Sequence, residues 1–142
     1  MSVRVSTGIA GTLAALAIGA CAPSGDQLQV DVSFSESVSG EALDGRLILV
    51  LSTRDEGEPR FHVTEGPSAQ PVFGVDVEGW APGSAVSFTD TVFGFPVGRL
   101  GNLPAGTYRA QALLNRYETF NRSDGHTVKL PPDRGEGQQW AR

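Results

Sequence analysis

The stretch Leu28-Gln29-Val30-Asp31-Val32-Ser33-Phe34-Ser35 decides the fold, because apolar and polar residues alternate along it without interruption. Successive side chains of a β-strand point to opposite faces, so a two-residue period is typical of a strand with one buried face. No segment after this stretch shows a sustained helical period. The pattern therefore predicts a β domain that begins near Leu28.

Short strand-like segments continue along the chain, separated by turn residues among its 18 glycines and nine prolines. Leu47–Leu51 is apolar on both faces, which indicates a central strand. Besides the strand at 28–35, we predict strands at 60–63, 72–77, 86–88, 107–114, 116–120 and 126–130, and a loop packed on the core at 92–97. The predicted fold class is all-β, an immunoglobulin/fibronectin-like β-sandwich of about seven short antiparallel strands across residues 28–130.

The turn Pro104-Ala105-Gly106-Thr107-Tyr108 leads into the strand at 107–114. It resembles the tyrosine-bearing corner of immunoglobulin-like and fibronectin-like domains. The resemblance implies that Tyr108 buries its ring and that its hydroxyl donates to backbone. An ordinary turn with a cross-strand tyrosine is the alternative.

The N-terminal segment has the layout of a secretory signal, with Arg4 as its one charge and an apolar run from Gly8 to Ala20 before Cys21. The run is too short and too rich in glycine for a membrane span, which needs about 20 apolar residues. An ordinary cleaved signal and a cytosolic helix are the alternatives. We expect residues 1–20 to form a signal helix that is removed.

The residues Ile18-Gly19-Ala20-Cys21 resemble the lipobox of bacterial lipoproteins. The resemblance implies cleavage between Ala20 and Cys21, acylation of Cys21, and anchoring of the exported domain at the cell envelope. Residues 21–27 would then be the lipidated cysteine and a tether, and Ala22 favours the outer membrane. Residues 131–142 would be an irregular tail.

Charge and cysteine content exclude several function classes. The net charge of the chain is −5, and removal of the signal with Arg4 makes it −6, which argues against nucleic-acid binding. Cys21 is the single cysteine, so its acylation would leave no thiol for a disulfide or a thiolate metal site. We predict no cofactor and no metal.

The sequence contains no Gly-x-Ser-x-Gly elbow, no His-Glu-x-x-His motif and no phosphate-binding glycine loop. The two histidines, His62 and His126, are predicted to be exposed on a strand and in a turn. We therefore predict that the chain is not an enzyme.

One segment near the C-terminus mixes aromatic, arginine and amide residues, a composition typical of interaction surfaces. Its candidate interaction residues are Arg116, Tyr117, Arg122 and Trp140, and the ligand would be a protein or a carbohydrate. The alternative is that the aromatics only cap one end of the fold. Because residues 131–142 lack a closing strand, we also expect the chain to be a fragment.

The segments Tyr117–Phe120, Asp124–Pro131 and Asp133–Trp140 resemble the N-terminal β-domain of exported bacterial proteins that carry an esterase (α/β-hydrolase) domain downstream. The resemblance implies a hydrolase domain as a partner. No catalytic residue can be carried over, because the serine elbow is missing. The predicted function is a non-catalytic accessory or binding module at the envelope, and the alternative is a free-standing structural lipoprotein without an enzymatic partner.

Overall fold

A computed structural model describes residues 2–6, 27–66 and 68–132 of the chain, which are mostly β. Within these ranges no helix is long and apolar enough to cross a membrane. The two helical elements are short 3-10 turns, η1 (Pro59–His62) and η2 (Leu100–Asn102). The strands are β1 Ser2–Ser6, β2 Gln29–Ser33, β3 Leu43–Ser52, β4 Val72–Trp80, β5 Val86–Phe88, β6 Gly94–Phe95, β7 Arg109–Arg116, β8 Glu118–Asn121 and β9 Thr127–Leu130.

The strands form three antiparallel sheets. The first has the order β1-β2-β5, the second β6-β4-β3-β7, and the third is the hairpin β8-β9. The longest strand, β3, pairs with β4 on one side and β7 on the other. The prediction of a central strand at Leu47–Leu51 is therefore confirmed, because both edges of β3 are occupied.

One hydrophobic core joins the first two sheets. The alternation in β2 buries Val30 and Val32, and that in β3 buries Leu47 and Leu49. Phe34 and Trp80 meet edge to face, with ring centroids 4.7 Å apart. The buried cluster consists of Val30, Val32, Phe34, Leu43, Leu47, Leu49, Leu51, Phe73, Val77, Trp80, Phe88 and Leu100.

The predicted strand at 60–63 is wrong, because these residues belong mainly to the 3-10 turn η1. His62 is buried, and its Nδ1 lies 2.7 Å from the hydroxyl of the fully buried Ser52. The predicted exposure of His62 is therefore also wrong, and its neighbours Phe61 and Val63 are exposed instead. Pro59 favours the start of a helical turn, and the buried hydroxyl of Ser52 needs a polar partner, so local chemistry overrides the alternation.

The predicted loop at 92–97 contains the short strand β6, which pairs with the end of β4. A Cβ on Gly94 would collide with the ring of buried Phe73, so only glycine allows this close approach. Val92 and Val97 pack against the core as expected. Gly94 is thus the residue that allows this short strand to pair with β4.

Residues 2–6, predicted to belong to a signal helix, form the strand β1 instead, and β1 pairs with β2 along its whole length. Residues 7–26, including Ala20 and Cys21, are outside the described residues, so signal cleavage and lipidation remain predictions. A chain cleaved before Cys21 would lack β1. The described part holds nine strands rather than about seven, and β1 and β6 were not among those predicted.

Candidate functional site

Tyr117, one of the predicted interaction residues, is hydrogen-bonded to the second sheet. Its backbone N–H donates to the carbonyl of Asp44, and its hydroxyl donates to Oδ1 of Asp76 over 2.8 Å. The other carboxylate oxygen of Asp76 lies 3.1 Å from Nη1 of Arg46. Tyr117 is therefore half-buried within a three-residue polar network.

The other predicted interaction residues have different surroundings. Arg116 borders a hollow of about 280 Å³ that Phe34 and Trp80 also line. Arg122 forms an ion pair of 2.9 Å with Asp124 in the turn between β8 and β9. Trp140 lies outside the described residues. Among the described residues, no side-chain hydrogen bond or ion pair joins Arg116, Tyr117 and Arg122 to one another.

A surface that the sequence did not indicate lies on the solvent side of the second sheet. Phe93 is 77% exposed and Phe95 is 52% exposed. Phe95 belongs to β6 of this sheet, and Phe93 directly precedes β6. They border an open depression of about 250 Å³. We call this surface the aromatic face and define it by Arg46, Ile48, Val72, Phe93 and Phe95.

Strand register assembles the aromatic face. Ile48 lies across from Gly74, and Val72 lies across from Phe95. Because side chains alternate along a strand, Ile48 points away from the core that holds Leu47 and Leu49. The same alternation that builds the core therefore leaves a second apolar row on the opposite side.

Gly74 makes room for Arg46 at the edge of this face. A Cβ on Gly74 would lie 2.9 Å from Nε and 3.0 Å from one terminal nitrogen of Arg46, so the guanidinium lies across the glycine. From there it reaches Asp76. The guanidinium is thus held close to the sheet instead of extending freely into solvent.

The hydroxyl of Tyr117 and then the guanidinium of Arg46 lower the pKa of Asp76 below its ordinary value of 3.8. The same contact raises the pKa of Tyr117 above 10.0. Asp76 is therefore ionised and Tyr117 is neutral at physiological pH. The result is a cation with a fixed position beside exposed phenylalanine rings.

The buried pair Ser52 and His62 resembles a catalytic dyad only in its residue types. Ser52 is 0% exposed, and its Oγ also accepts the backbone N–H of Arg54 at 3.1 Å. No substrate can reach a hydroxyl in this position, so the pair has a structural role. Across residues 27–66 and 68–132, no group of three His, Cys, Asp or Glu side chains is placed to hold a metal ion.

A larger and more polar hollow of about 520 Å³ borders the aromatic face, with Phe93 as the shared residue. Its lining includes Gln27, where the described domain begins, and Asp90 and Arg99. The aromatic face therefore lies near the end of the domain at which the predicted tether enters.

Comparisons with protein-family models, with curated proteins and with solved structures found no match to this chain. The geometry of the site is therefore the basis for the function.

Proposed function

We propose that the chain is a non-catalytic accessory module, anchored at the bacterial cell envelope through Cys21, that binds a partner protein through its aromatic face. The module would be an immunoglobulin-like β-sandwich. Two observations support this fold: two antiparallel sheets share one core, and the hydroxyl of Tyr108 donates to the carbonyl of Pro104 over 2.9 Å. A hydrogen bond from tyrosine to backbone a few residues upstream is characteristic of the tyrosine corner.

The observation that supports binding is the exposure of Phe93 and Phe95 beside Arg46. Aromatic residues and arginine are enriched in protein interfaces and dominate their energetic hot spots. Small-molecule sites are usually concave, with volumes of about 300–1,000 Å³ that enclose most of the ligand. The depression here is open and only about 250 Å³. A protein surface fits it better than a small ligand.

The resemblance of residues 117–140 to β-domains that precede an esterase suggests which partner to expect. A hydrolase domain, in the same polypeptide or in a separate one, would pack on the aromatic face. Cys21 would supply the membrane anchor and the partner would supply the chemistry. These separate roles agree with a sequence that contains neither a serine elbow nor a His-Glu-x-x-His motif.

Site-specific photocrosslinking in intact cells tests the proposal. Phe93→p-benzoylphenylalanine and Phe95→p-benzoylphenylalanine should each give a discrete protein adduct after irradiation. Phe61→p-benzoylphenylalanine is the matched control, because Phe61 is 69% exposed but belongs to η1 and does not border the depression. It should give no such adduct.

Two results would contradict the proposal. One is an equal yield of protein adducts at Phe61 and Phe95, which would indicate only non-specific contact. The other is an adduct with lipid and none with protein, which would show that Phe93 and Phe95 contact the membrane near the tether.

A further inference from the structure

The β2 strand has no free edge as long as β1 is present. β1 covers one edge of β2, and the pairing runs from Ser2, which lies across from Ser33, to Ser6, which lies across from Gln29. β5 covers the other edge through the residues from Val30 to Val32. Whether β2 is an internal strand or an edge strand therefore depends on residues 2–6 alone.

The predicted processing removes these residues, and this step rests on the proposed function. During export, the positively charged start of a signal stays on the cytoplasmic side of the membrane while the following domain crosses. Residues 2–6 would then never meet the exported β2. The mature domain would expose the unpaired backbone groups of β2, which are a template for another strand.

The position that β1 occupies beside β2 also borders β7. The second edge of β7 has no partner strand among the described residues, and β1 lies close to it. A hollow of about 300 Å³, lined by Leu28 and Tyr108 among others, lies between β7 and the start of β2. A second hollow of about 280 Å³, lined by Phe34 and Leu114 among others, lies near the other end of β2. Both have mainly apolar linings.

We propose that the mature domain binds an extended segment of a partner protein along the β2 edge, in the position that β1 occupies. In this binding mode, backbone hydrogen bonds provide affinity and alternate side chains provide specificity. The described residues of β2 show what fits this position, because Val30 and Val32 are buried and Asp31 stands between them, and in the register β1 places Arg4 across from Asp31. The partner segment is therefore apolar at alternate positions with a basic residue between them.

Two other occupants fit less well. A second copy paired through all five residues of β2 would place Asp31 directly across from Asp31, and like charges in this position are destabilising. The chain's own C-terminal segment, Asp133–Arg142, has no apolar alternation in its sequence. A separate partner segment avoids both problems.

The test uses the mature lipoprotein, extracted in detergent from membranes of cells that express the full chain. Its intact mass shows first whether the chain begins at Cys21. A fluorescent peptide with the sequence of residues 1–7 is then titrated with the protein, and anisotropy is recorded. We expect saturable binding that weakens at least about ten-fold when alternate peptide nitrogens are methylated, because each methyl group removes a backbone donor.

A charge exchange tests the register. Asp31→Arg should weaken binding of the peptide by roughly two- to five-fold, as expected for one cross-strand charge pair. A peptide with Arg4→Asp should bind Asp31→Arg better than it binds the unsubstituted protein. A control variant, Asp124→Arg in the distant hairpin turn, should leave both affinities unchanged.

The outcomes separate the two proposals. A mass that begins at Cys21 together with no peptide binding, or with equal binding of the methylated peptide, overturns the strand-binding site and leaves the proposed function intact. A stable dimer that excludes the peptide shows that the occupant is a second copy and also overturns it. A mass that includes residues 1–20 overturns the anchoring and, with it, the vacant β2 edge.

Discussion

Two regions of the molecule are held by different forces. One is the core between the first two sheets, and the other is the hairpin β8-β9. Leu47, Leu49 and Phe88 are completely buried in the core. Every residue of β8 is exposed, as is most of β9. The hairpin contacts the second sheet through polar groups, since the ammonium of Lys129 lies 2.8 Å from Asp44 and also contacts Glu78.

This difference separates the parts of the molecule that respond to packing from those that respond to charge. Apolar burial does not depend on the charge state of side chains, whereas exposed ion pairs contribute little to global stability and are screened by salt. Tyr117 lies where the two regions meet, with its backbone bonded to Asp44 and its hydroxyl to Asp76. Substitutions in the two regions should therefore have effects of different size and kind.

The largest effect is expected for Leu49→Ala in the core. Leu49 is 0% exposed, so truncation removes its apolar contacts and leaves a cavity, at a cost of about 2–5 kcal/mol in the free energy of unfolding. Urea denaturation measures this cost. Leu130→Ala in the hairpin is the matched control, because Leu130 is 53% exposed, and it should cost under about 0.5 kcal/mol. Equal losses in both variants would remove the distinction between the regions.

Ser52→Ala should have the next largest effect, about 1–3 kcal/mol by the same measurement. The substitution leaves Nδ1 of buried His62 and the N–H of Arg54 without their partner. Ser37→Ala, which removes an exposed hydroxyl bonded only to Ser35, should change stability little. A loss no larger than that of the control would show that His62 finds a partner elsewhere or reaches water.

Lys129→Met should act on the hairpin and leave global unfolding almost unchanged. Asp44 and then Glu78 raise the pKa of Lys129 above 10.5, so the contact is complete below that pH and is lost as pH rises through the raised value. Hydrogen exchange of the amides in β8 and β9 should accelerate several-fold, while that of β3 stays the same. Unchanged exchange in the hairpin would mean that Lys129 does not hold it.

The smallest effect concerns the titration of Asp76. Its pKa lies below 3.8 in the folded chain, so the contacts of its carboxylate stabilise the fold fully above about pH 4 and are lost as pH falls through the lowered value. Tyr117→Phe should move this pKa back toward 3.8 in an NMR titration. Tyr108→Phe, which removes a hydroxyl bonded to Pro104, should not move it. An unchanged titration in Tyr117→Phe would contradict the network.

Much of the β architecture follows from the alternation of apolar residues, because that alternation is itself the consequence of burial on one side. It predicts β2, β3, β4, β5 and β7. It fails at η1, where Phe61 and Val63 alternate with polar residues but lie in solvent. A period of two across four residues is too short to outweigh a proline and a buried hydroxyl that needs a partner.

The aromatic face could not be predicted from sequence for a related reason. Phe93 and Phe95 stand among Gly94, Pro96 and other apolar residues, a composition that fits a loop folded onto the core. In the structure β6 pairs with β4, Val92 and Val97 pack against the core, and both phenylalanine rings are exposed. The pairing of β6 with β4 depends on the close approach of Gly94 to Phe73, a long-range contact that a local sequence pattern does not predict.

The most direct test of partner binding compares crosslinking at Phe95 in two backgrounds. Phe95→p-benzoylphenylalanine alone should give a protein adduct in intact cells, and adding Phe93→Ser should reduce its yield at least about two-fold, since interface hot spots depend on few residues. Adding Phe61→Ser instead should leave the yield unchanged. A yield that does not respond to Phe93→Ser, or that falls equally with Phe61→Ser, would contradict a binding site on the aromatic face.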